Sequence, residues 1–131
     1  MNESDWLEKA TENLAVAEWC QEQGHFNACA NRLYYAMFHA ALAALIKNGI
    51  FPANDNIGHD WLQGTFSGQL IHRRKLFPRK FRWYLIEAFH VRVAADYQPL
   101  SVSNKNIANE LKKAKEFFNT IIKEVTYAAK S

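Results

Sequence analysis

The sequence contains few of the residues that define disulfide-rich or low-complexity proteins. Its 131 residues include 5 Gly, 3 Pro and 2 Cys. Because Gly and Pro are scarce and 49% of the residues are hydrophobic, collagen-like and disordered classes are excluded. Two cysteines are too few for a disulfide framework, and both Cys20 and Cys29 fall in helix-like segments. We therefore expect two reduced thiols on helix faces or in the core.

No part of the chain predicts a membrane span or a secretory signal. The longest apolar run, from Leu33 to Ile46, is shorter than the ~20 residues that cross a bilayer, and it contains His39. Residues 1–5 are acidic, whereas a secretory signal is basic and then apolar. We therefore expect a cytoplasmic protein that does not bind a membrane.

The charge is small overall but unevenly distributed. With 16 Lys and Arg residues against 13 Asp and Glu, the formal net charge is +3, yet residues 1–22 hold six acids and one base. No acid lies between Asp60 and Glu87, and this interval contains His72 followed by six bases, Arg73, Arg74, Lys75, Arg79, Lys80 and Arg82. Such a cluster is a candidate phosphate-binding surface, although a solvated helix end and turn also explains it.

The two ends of the chain have the hydrophobic period of amphipathic helices. In the last segment, which we expect Ser103 to cap, one stripe contains Ile107, Leu111, Ala114, Phe118, Ile121 and Val125. In the first segment, which we expect to begin after Ser4 and to end near Gly24, the stripe contains Trp6, Ala10, Leu14 and Ala17.

A second helix is predicted from His25 to Asn48, ending at Gly49. It is apolar on more than one side and should therefore be central: Phe26, Leu33, Tyr34, Met37, Phe38, Ala41, Leu42 and Leu45. Residues 49–58 are rich in Asn, Asp, Gly and Pro, which predicts a loop.

The remaining segment predicts a weaker helix over residues 59–75, loosened by Gly64 and Gly68. A further helix has Pro78 in its first turn, runs to about Tyr97 and is stopped by Pro99. Short connections between these helices favour an all-α fold, an up-and-down antiparallel bundle of four to five helices. We expect residues 1–131 to form a single domain.

Candidate catalytic residues lie on the second helix. Arg32, Tyr35 and His39 are spaced i, i+3 and i+7, which places them on one face. An imidazole exchanges protons near neutral pH and a guanidinium stabilises charge on phosphate oxygens, so this pair suits phosphodiester chemistry. In the alternative interpretation, Arg32 extends to solvent and His39 is a core histidine with its hydrogen bonds satisfied.

A second charged pair, Arg92 and Asp96, lies near the end of the helix that stops at Tyr97. The spacing predicts an i, i+4 ion pair. However, the neighbouring residues are apolar, and charged side chains among apolar residues usually face a cleft or a partner. No His-x3-His or Cys-x2-Cys spacing, phosphate-binding Gly-rich loop or Gly-x-Ser-x-Gly elbow is present. We therefore expect acid–base chemistry without a metal or cofactor.

Three features together resemble a small stand-alone HEPN domain protein (higher eukaryotes and prokaryotes nucleotide-binding), over about residues 5–125. They are the string Asn-Arg-Leu-Tyr-Tyr-Ala-Met-Phe-His of residues 31–39, the Gly58-His59 turn, and Arg-x-x-Ala-Asp-Tyr at residues 92–97. The resemblance implies a helical bundle that pairs as a homodimer. It further implies a metal-independent ribonuclease cleft between the subunits, and coupling to a minimal nucleotidyltransferase in toxin–antitoxin or defence pairs.

The family's catalytic pair is an Arg and a His separated by four to six residues, on the helix that here ends at Tyr97. This sequence departs from that pattern, since Arg92 is present but no histidine follows it, whereas Arg32 and His39 have the spacing on the second helix. Catalysis would then rest on a regrouped set: Arg32, His39, His59, Arg92 and Asp96.

In this set one histidine acts as base on the 2′-hydroxyl and the other as acid on the leaving 5′-oxygen. The two arginines hold the phosphate and Asp96 orients one of these side chains. The substrate-binding residues would be Tyr35 and Tyr97 for a base or phosphate, and Arg73, Arg74, Arg79, Lys80 and Arg82 for the RNA backbone.

Two other hypotheses remain. In the first, the chain is a catalytically inactive HEPN module that binds a nucleotide or a nucleotidyltransferase partner. In the second, it is a structural bundle whose dimer is its only activity. The polar residues would then form a buried network that fixes helix register, with the family's chemistry lost.

Overall fold

The computed structural model describes residues 1–99 and 102–128, and within these ranges it contains five α-helices, one π-helix and no strand. The elements are α1 (Glu3–Glu22), α2 (Phe26–Lys47), α3 (His59–Thr65), the π-helix (Phe66–Arg73), α4 (Lys80–Tyr97) and α5 (Asn104–Ala128). The prediction of an all-α helical bundle is confirmed.

Helix α1 begins two residues earlier than expected, because Asn2 rather than Ser4 caps it. The backbone N–H of Asp5 donates to Oδ1 of Asn2 at 3.0 Å, and the backbone N–H of Asn2 donates to Oδ2 of Asp5 at 2.9 Å. This reciprocal pair is a capping box, and it satisfies donors that a helix start otherwise leaves unpaired. At the start of α5, Ser103 Oγ accepts from the backbone N–H of Asn106 at 3.2 Å, as the expected cap.

Pairwise contacts fix the directions of the helices. Trp6 and Trp19 of α1 pack against His39 and His25, so α1 and α2 run antiparallel. In α4 and α5, Lys80 pairs with Glu116 and Glu87 with Lys113, which again requires opposite directions. Antiparallel packing of neighbouring helices is the arrangement of an up-and-down bundle.

Helix α2 lies at the centre of this bundle and contacts α1, α4 and α5. From Ala40 to Leu45 each residue of α2 is fully buried, which explains why its sequence is apolar on several sides. The predicted stripe of α5, from Ile107 to Val125, is buried as expected. Cys20 and Cys29 are buried free thiols. Within residues 1–99 and 102–128, no helix is both long and apolar enough to span a bilayer.

The weak helix predicted over residues 59–75 is two elements. Helix α3 changes at Phe66 into a π-helix, whose wider turn shows in the backbone hydrogen bond from Arg74 N to Gln69 O at 3.0 Å. Helix α4 then begins at Lys80, later than Pro78. The bonds from Phe81 N to Pro78 O and from Arg82 N to Arg79 O, both 3.1 Å, form a tight turn before the α-helical pattern starts.

Candidate active site

Polar side chains from four helices meet around the ring of Tyr35. The guanidinium carbons of Arg32 and Arg92 lie 5.7 and 5.6 Å from the centroid of this ring, and the rings of His39 and His59 each lie 6.1 Å from it. The Tyr35 cluster comprises this ring and the side chains linked around it: Asn13, Asn31, Arg32, Tyr34, Tyr35, His39, His59, Gln63, Arg92 and Asp96. It brings together five predicted catalytic residues.

Arg32 is held by two asparagines. Its Nη1 donates to Oδ1 of Asn13 at 3.0 Å and its Nε donates to Oδ1 of Asn31 at 2.9 Å, with Nη2 also bonded to that oxygen. Because both partners are neutral amides, Arg32 keeps its full positive charge within the cluster. A guanidinium fixed in this way is half-buried and points along the bundle surface toward Tyr35, not away from it.

His39 is a neutral histidine at physiological pH. Burial of its ring, reinforced by the charges of Lys9 and Arg32, lowers its pKa to about 4. Its Nδ1 lies 3.1 Å from Nδ2 of Asn13, and the ring of Trp6 packs 5.3 Å away. The unprotonated imidazole is therefore positioned by α1.

The charge of Arg92 is largely enclosed, since its side chain is 12% exposed. Its guanidinium lies 5.5–5.6 Å from the ring centroids of Tyr34, Tyr35 and Phe89. Its Nη1 donates to the Tyr35 hydroxyl at 3.3 Å and contacts Oδ2 of Asp96 at 3.4 Å. Nε of Arg92 is buried and has no hydrogen-bond partner among the described residues.

Asp96 links the two arginines. Its Oδ2 accepts from Nδ2 of Asn31 at 3.3 Å as well as from Arg92, and its side chain is 27% exposed. The predicted i, i+4 ion pair therefore forms, but as part of a chain of hydrogen bonds that runs from Asp96 through Asn31 to Arg32. Such coupled bonds fix side-chain positions more firmly than an isolated surface pair.

His59 enters from the first residue of α3. Its Nδ1 lies 2.9 Å from the hydroxyl of Tyr34, which also accepts from Nε2 of Gln63 at 3.2 Å. Burial lowers the pKa of His59 and the charge of Arg92 lowers it further, while Asp60 acts in the opposite sense. Burial also raises the pKa of Tyr34 to about 12, so the bridging group is a neutral hydroxyl.

The other predicted binding residues lie outside the cluster. Arg73 and Arg74 are exposed, and Nη1 of Arg74 donates to the backbone oxygen of Asn48 at 3.1 Å. Lys80 forms an ion pair of 2.9 Å with Glu116. Tyr97 is 77% exposed at the end of α4. Arg79 and Arg82 line a groove beside α3, described below.

Sequence reasoning did not select Asn13 or Gln63, and it assigned Tyr34 to the core. Asn13 had a usable signal, since it lies three residues after Ala10 and four before Ala17, on the buried stripe of α1. A lone amide on such a stripe needs a partner. Tyr34 is fully buried as expected, but its hydroxyl is committed to the site.

Within residues 1–99 and 102–128, no three His, Cys, Asp or Glu side chains are grouped so that they could hold a metal ion. The proton-transfer and charge-carrying groups of the cluster are imidazoles, guanidiniums, hydroxyls and one carboxylate. Two fixed positive charges beside two neutral imidazoles can bind a phosphodiester and accept or donate protons around it.

Comparisons with known proteins show the family of this chain. The sequence model of the HEPN domain matches residues 3–125. A Thermotoga maritima protein of the group UPF0332 is 25% identical over 129 residues, with 94% of each chain covered. A Methanocaldococcus jannaschii protein named "Putative toxin MJ0142" is 29% identical over 91 residues, which cover 70% of this chain and 58% of that relative. A UPF0332 protein of Gloeobacter violaceus is 27% identical over 97 residues, 72% of this chain and 71% of its own.

Proposed function

The chain belongs to the HEPN domain family, and from that premise we propose that it is a toxin-like endoribonuclease that cleaves RNA without a metal ion. The reaction takes place at the Tyr35 cluster, near the interface of a homodimer. The observation that carries the proposal is the meeting of Arg32, Arg92, His39 and His59 around one tyrosine ring.

The two arginines bind the scissile phosphate. Each is a permanent cation held over an aromatic ring. Charge on the non-bridging oxygens grows in the transition state, so fixed donors stabilise it more than the bound substrate. Asp96 keeps the Arg92 guanidinium in place.

The histidines have different roles, because their ring nitrogens have different partners. His39 accepts a hydrogen bond at Nδ1, so its proton is on Nε2 and it donates to a phosphate oxygen. His59 bonds to a hydroxyl, which has one donor and two acceptor sites and fits either neutral tautomer. With its proton on Nδ1, His59 has a lone pair on Nε2 and is the base.

The 2′-hydroxyl gives its proton to Nε2 of His59 and the 2′-oxygen attacks phosphorus. The bond from phosphorus to the 5′-oxygen breaks, and that oxygen takes a proton from water. The hydroxide formed from this water takes the proton from Nε2 of His59, which restores the neutral base. The products are a 2′,3′-cyclic phosphate and a 5′-hydroxyl. His39 does not supply the proton as an imidazolium, since its pKa of about 4 leaves it neutral.

The exposed basic side chains of Arg73, Arg74, Arg79 and Arg82 bind the remaining RNA. Lys80 also contributes, although an RNA phosphate competes with Glu116 for its ammonium group. Tyr97, exposed at the end of α4, and Tyr35 are placed to contact a base or phosphate. The partner proteins that fit the proposal are a second copy of this chain and a minimal nucleotidyltransferase that acts as antitoxin. The name of the Methanocaldococcus jannaschii relative supports the toxin-like assignment.

The proposal is tested by incubating the purified protein with RNA in excess chelator. We expect fragments from the wild-type protein and a loss of at least about 100-fold in cleavage rate for Arg92→Ala, since one removed transition-state donor costs that much. Lys123→Ala, at an exposed position of α5, is the matched control and should cleave normally. RNA that stays intact with the wild-type protein contradicts the proposal.

A second function is favoured by one observation: most polar groups of the cluster are hydrogen-bonded to one another. Asn13, Asn31 and Asp96 bond to the arginines, so the cluster also fits a catalytically inactive module whose network fixes the helices and whose surface binds a nucleotide or a nucleotidyltransferase. This alternative predicts intact RNA together with a complex that co-elutes with the nucleotidyltransferase on a sizing column. Separate elution counts against it.

A further inference from the structure

A groove of about 780 Å³ lies beside the Tyr35 cluster, with which it shares Gln63. One wall is the face of α4 that carries Arg79, Arg82, Trp83 and Ile86, and the other follows α3 and the π-helix, with Asp60, Gln63, Gly64, Ser67, Gly68, Ile71 and His72. This volume is in the range of small-ligand sites. The groove is formed largely by the acid-free interval between Asp60 and Glu87, and among its lining residues Asp60 is the one acid.

The α4 wall combines an aromatic surface with positive charge. Trp83 is 57% exposed, a high value for the largest aromatic side chain. The guanidinium carbon of Arg82 lies 5.4 Å from the centroid of its ring. Among the described residues, neither Arg79 nor Arg82 forms an ion pair. Both cations are therefore available to an anionic ligand that also stacks on the indole.

The opposite wall of the groove lets a ligand come close to the helix backbone. A methyl group built at Gly64 or Gly68 would meet nothing within 4 Å, so these positions leave open space over the helix. The two glycines lie on either side of the transition from α3 into the π-helix. π-Helical turns are rare and occur frequently at functional sites. Here the wider turn places Ser67 and His72 on the same groove wall.

We propose that this groove binds a phosphate-bearing nucleotide, with its base stacked on Trp83 and its phosphate held by Arg79, Arg82 and His72. The inference rests on the proposed function only in taking the nucleotide as part of an RNA chain. Gln63 connects the two sites, because it lines the groove and donates to the Tyr34 hydroxyl that contacts His59. The groove would therefore hold a nucleotide next to the one that is cut.

The test measures binding without cleavage. A fluorescent hexanucleotide with 2′-O-methyl groups at every position cannot be cut by 2′-hydroxyl attack, so its fluorescence anisotropy reports affinity alone. We expect Trp83→Ala to raise Kd by about 5-fold or more, because stacking on one aromatic side chain contributes that much. Trp83→Phe should recover most of the affinity. Trp19→Ala is the matched control, since Trp19 is 55% exposed on α1, away from the groove.

Two further arms identify the ligand and the role of charge. If adenosine 5′-monophosphate binds as tightly as the hexanucleotide, the ligand of the groove is a free nucleotide. If adenosine 5′-monophosphate binds at least about 10-fold more weakly, the ligand is an RNA strand. In either case Arg79→Ala with Arg82→Ala should lower the salt dependence of binding. Equal affinities of Trp83→Ala and wild-type protein for both probes overturn the inference. Tight, Trp83-dependent binding with no cleavage of ordinary RNA retains the groove and rejects the proposed enzymatic function.

Discussion

Nδ2 of Asn13 on α1 donates a hydrogen bond to Nδ1 of His39 on α2 at 3.1 Å. The direction of this bond follows from a third residue. Arg32 has only donors, and its Nη1 bonds to Oδ1 of Asn13, so the amide turns its NH2 group toward the imidazole. Neutral His39 must then carry its proton on Nε2. One amide in the first helix thus determines the tautomer of a histidine in the second.

Replacing Asn13 with Asp should raise the pKa of His39. A carboxylate at this position attracts a proton onto Nδ1 and offsets the effects of burial, Lys9 and Arg32 that hold the pKa at about 4. The measurement is an NMR titration of the histidine ring protons. Asn109→Asp, at an exposed position of α5, is the control and should leave the pKa of His39 where it is. An unchanged pKa in Asn13→Asp would show that the two side chains do not interact.

The free energy of unfolding should fall as the pH drops from about 6.5 to about 4. The pKa of His39 is lower in the folded protein than its ordinary value of 6.5, so the unfolded chain binds more protons in this window. The contribution of His39 to stability is fully present above about pH 6.5 and is lost as the pH falls toward about 4. The slope from one such group is at most about 1.4 kcal/mol per pH unit, and solvent screening of the half-buried ring reduces it.

This pH dependence is checked by urea unfolding at several pH values. His39→Gln lacks the titrating ring, and its stability should therefore change less steeply between pH 6.5 and 4 than that of the wild-type protein. Parallel curves for the two proteins would exclude a depressed pKa at this site.

Tyr34→Phe should cost about 1–3 kcal/mol of stability. The substitution removes a buried hydroxyl and leaves Nδ1 of His59 and Nε2 of Gln63 without their partner. Tyr84→Phe removes a hydroxyl whose partner, Glu116, is more exposed and also pairs with Lys80, so about 1 kcal/mol or less is expected there. Equal losses in the two variants, measured by urea unfolding, would argue against a tightly bonded Tyr34 hydroxyl.

Two glycine substitutions should change stability in opposite directions. Gly49 ends α2 with φ +79°, a conformation that costs an alanine about 1 kcal/mol even though space is free around it. Gly64 lies within α3 with open space beside it, so Gly64→Ala should gain up to about 1 kcal/mol from helix propensity. Thermal unfolding measures both. A stabilising Gly49→Ala would contradict the left-handed helix end.

The helices were predictable because apolar periodicity and stop residues act locally. The stripes of α1 and α5 and the buried centre of α2 follow from side-chain spacing alone. The start of α1 could not be predicted, because Asn2 and Ser4 are both good caps and only the reciprocal hydrogen bonds with Asp5 select Asn2. The π-helix was also missed, since a weakened helical period does not reveal which hydrogen bonds replace the regular ones.

For the site, the sequence indicated residue types and faces but not their partners. Arg32 and His39 share a face of α2 by spacing, whereas Arg92 reaches the same tyrosine only through the packing of α4 on α2. The role of Asn13 depends on the approach of α1 to α2, 26 positions from His39 in sequence. Such contacts depend on tertiary geometry, which local patterns do not encode.

The central claim is that the Tyr35 cluster cleaves RNA by attack of the 2′-hydroxyl, and end-group analysis of the fragments tests it most directly. A short RNA is incubated with the wild-type protein in excess chelator, beside the same RNA with a 2′-O-methyl group at the cleaved position. We expect 2′,3′-cyclic phosphate ends from the first RNA with the wild-type protein, formed at least about 100-fold more slowly by Arg92→Ala, and none from the second RNA with either protein. Cleavage of the methylated RNA, or equal cleavage by Arg92→Ala, would contradict it.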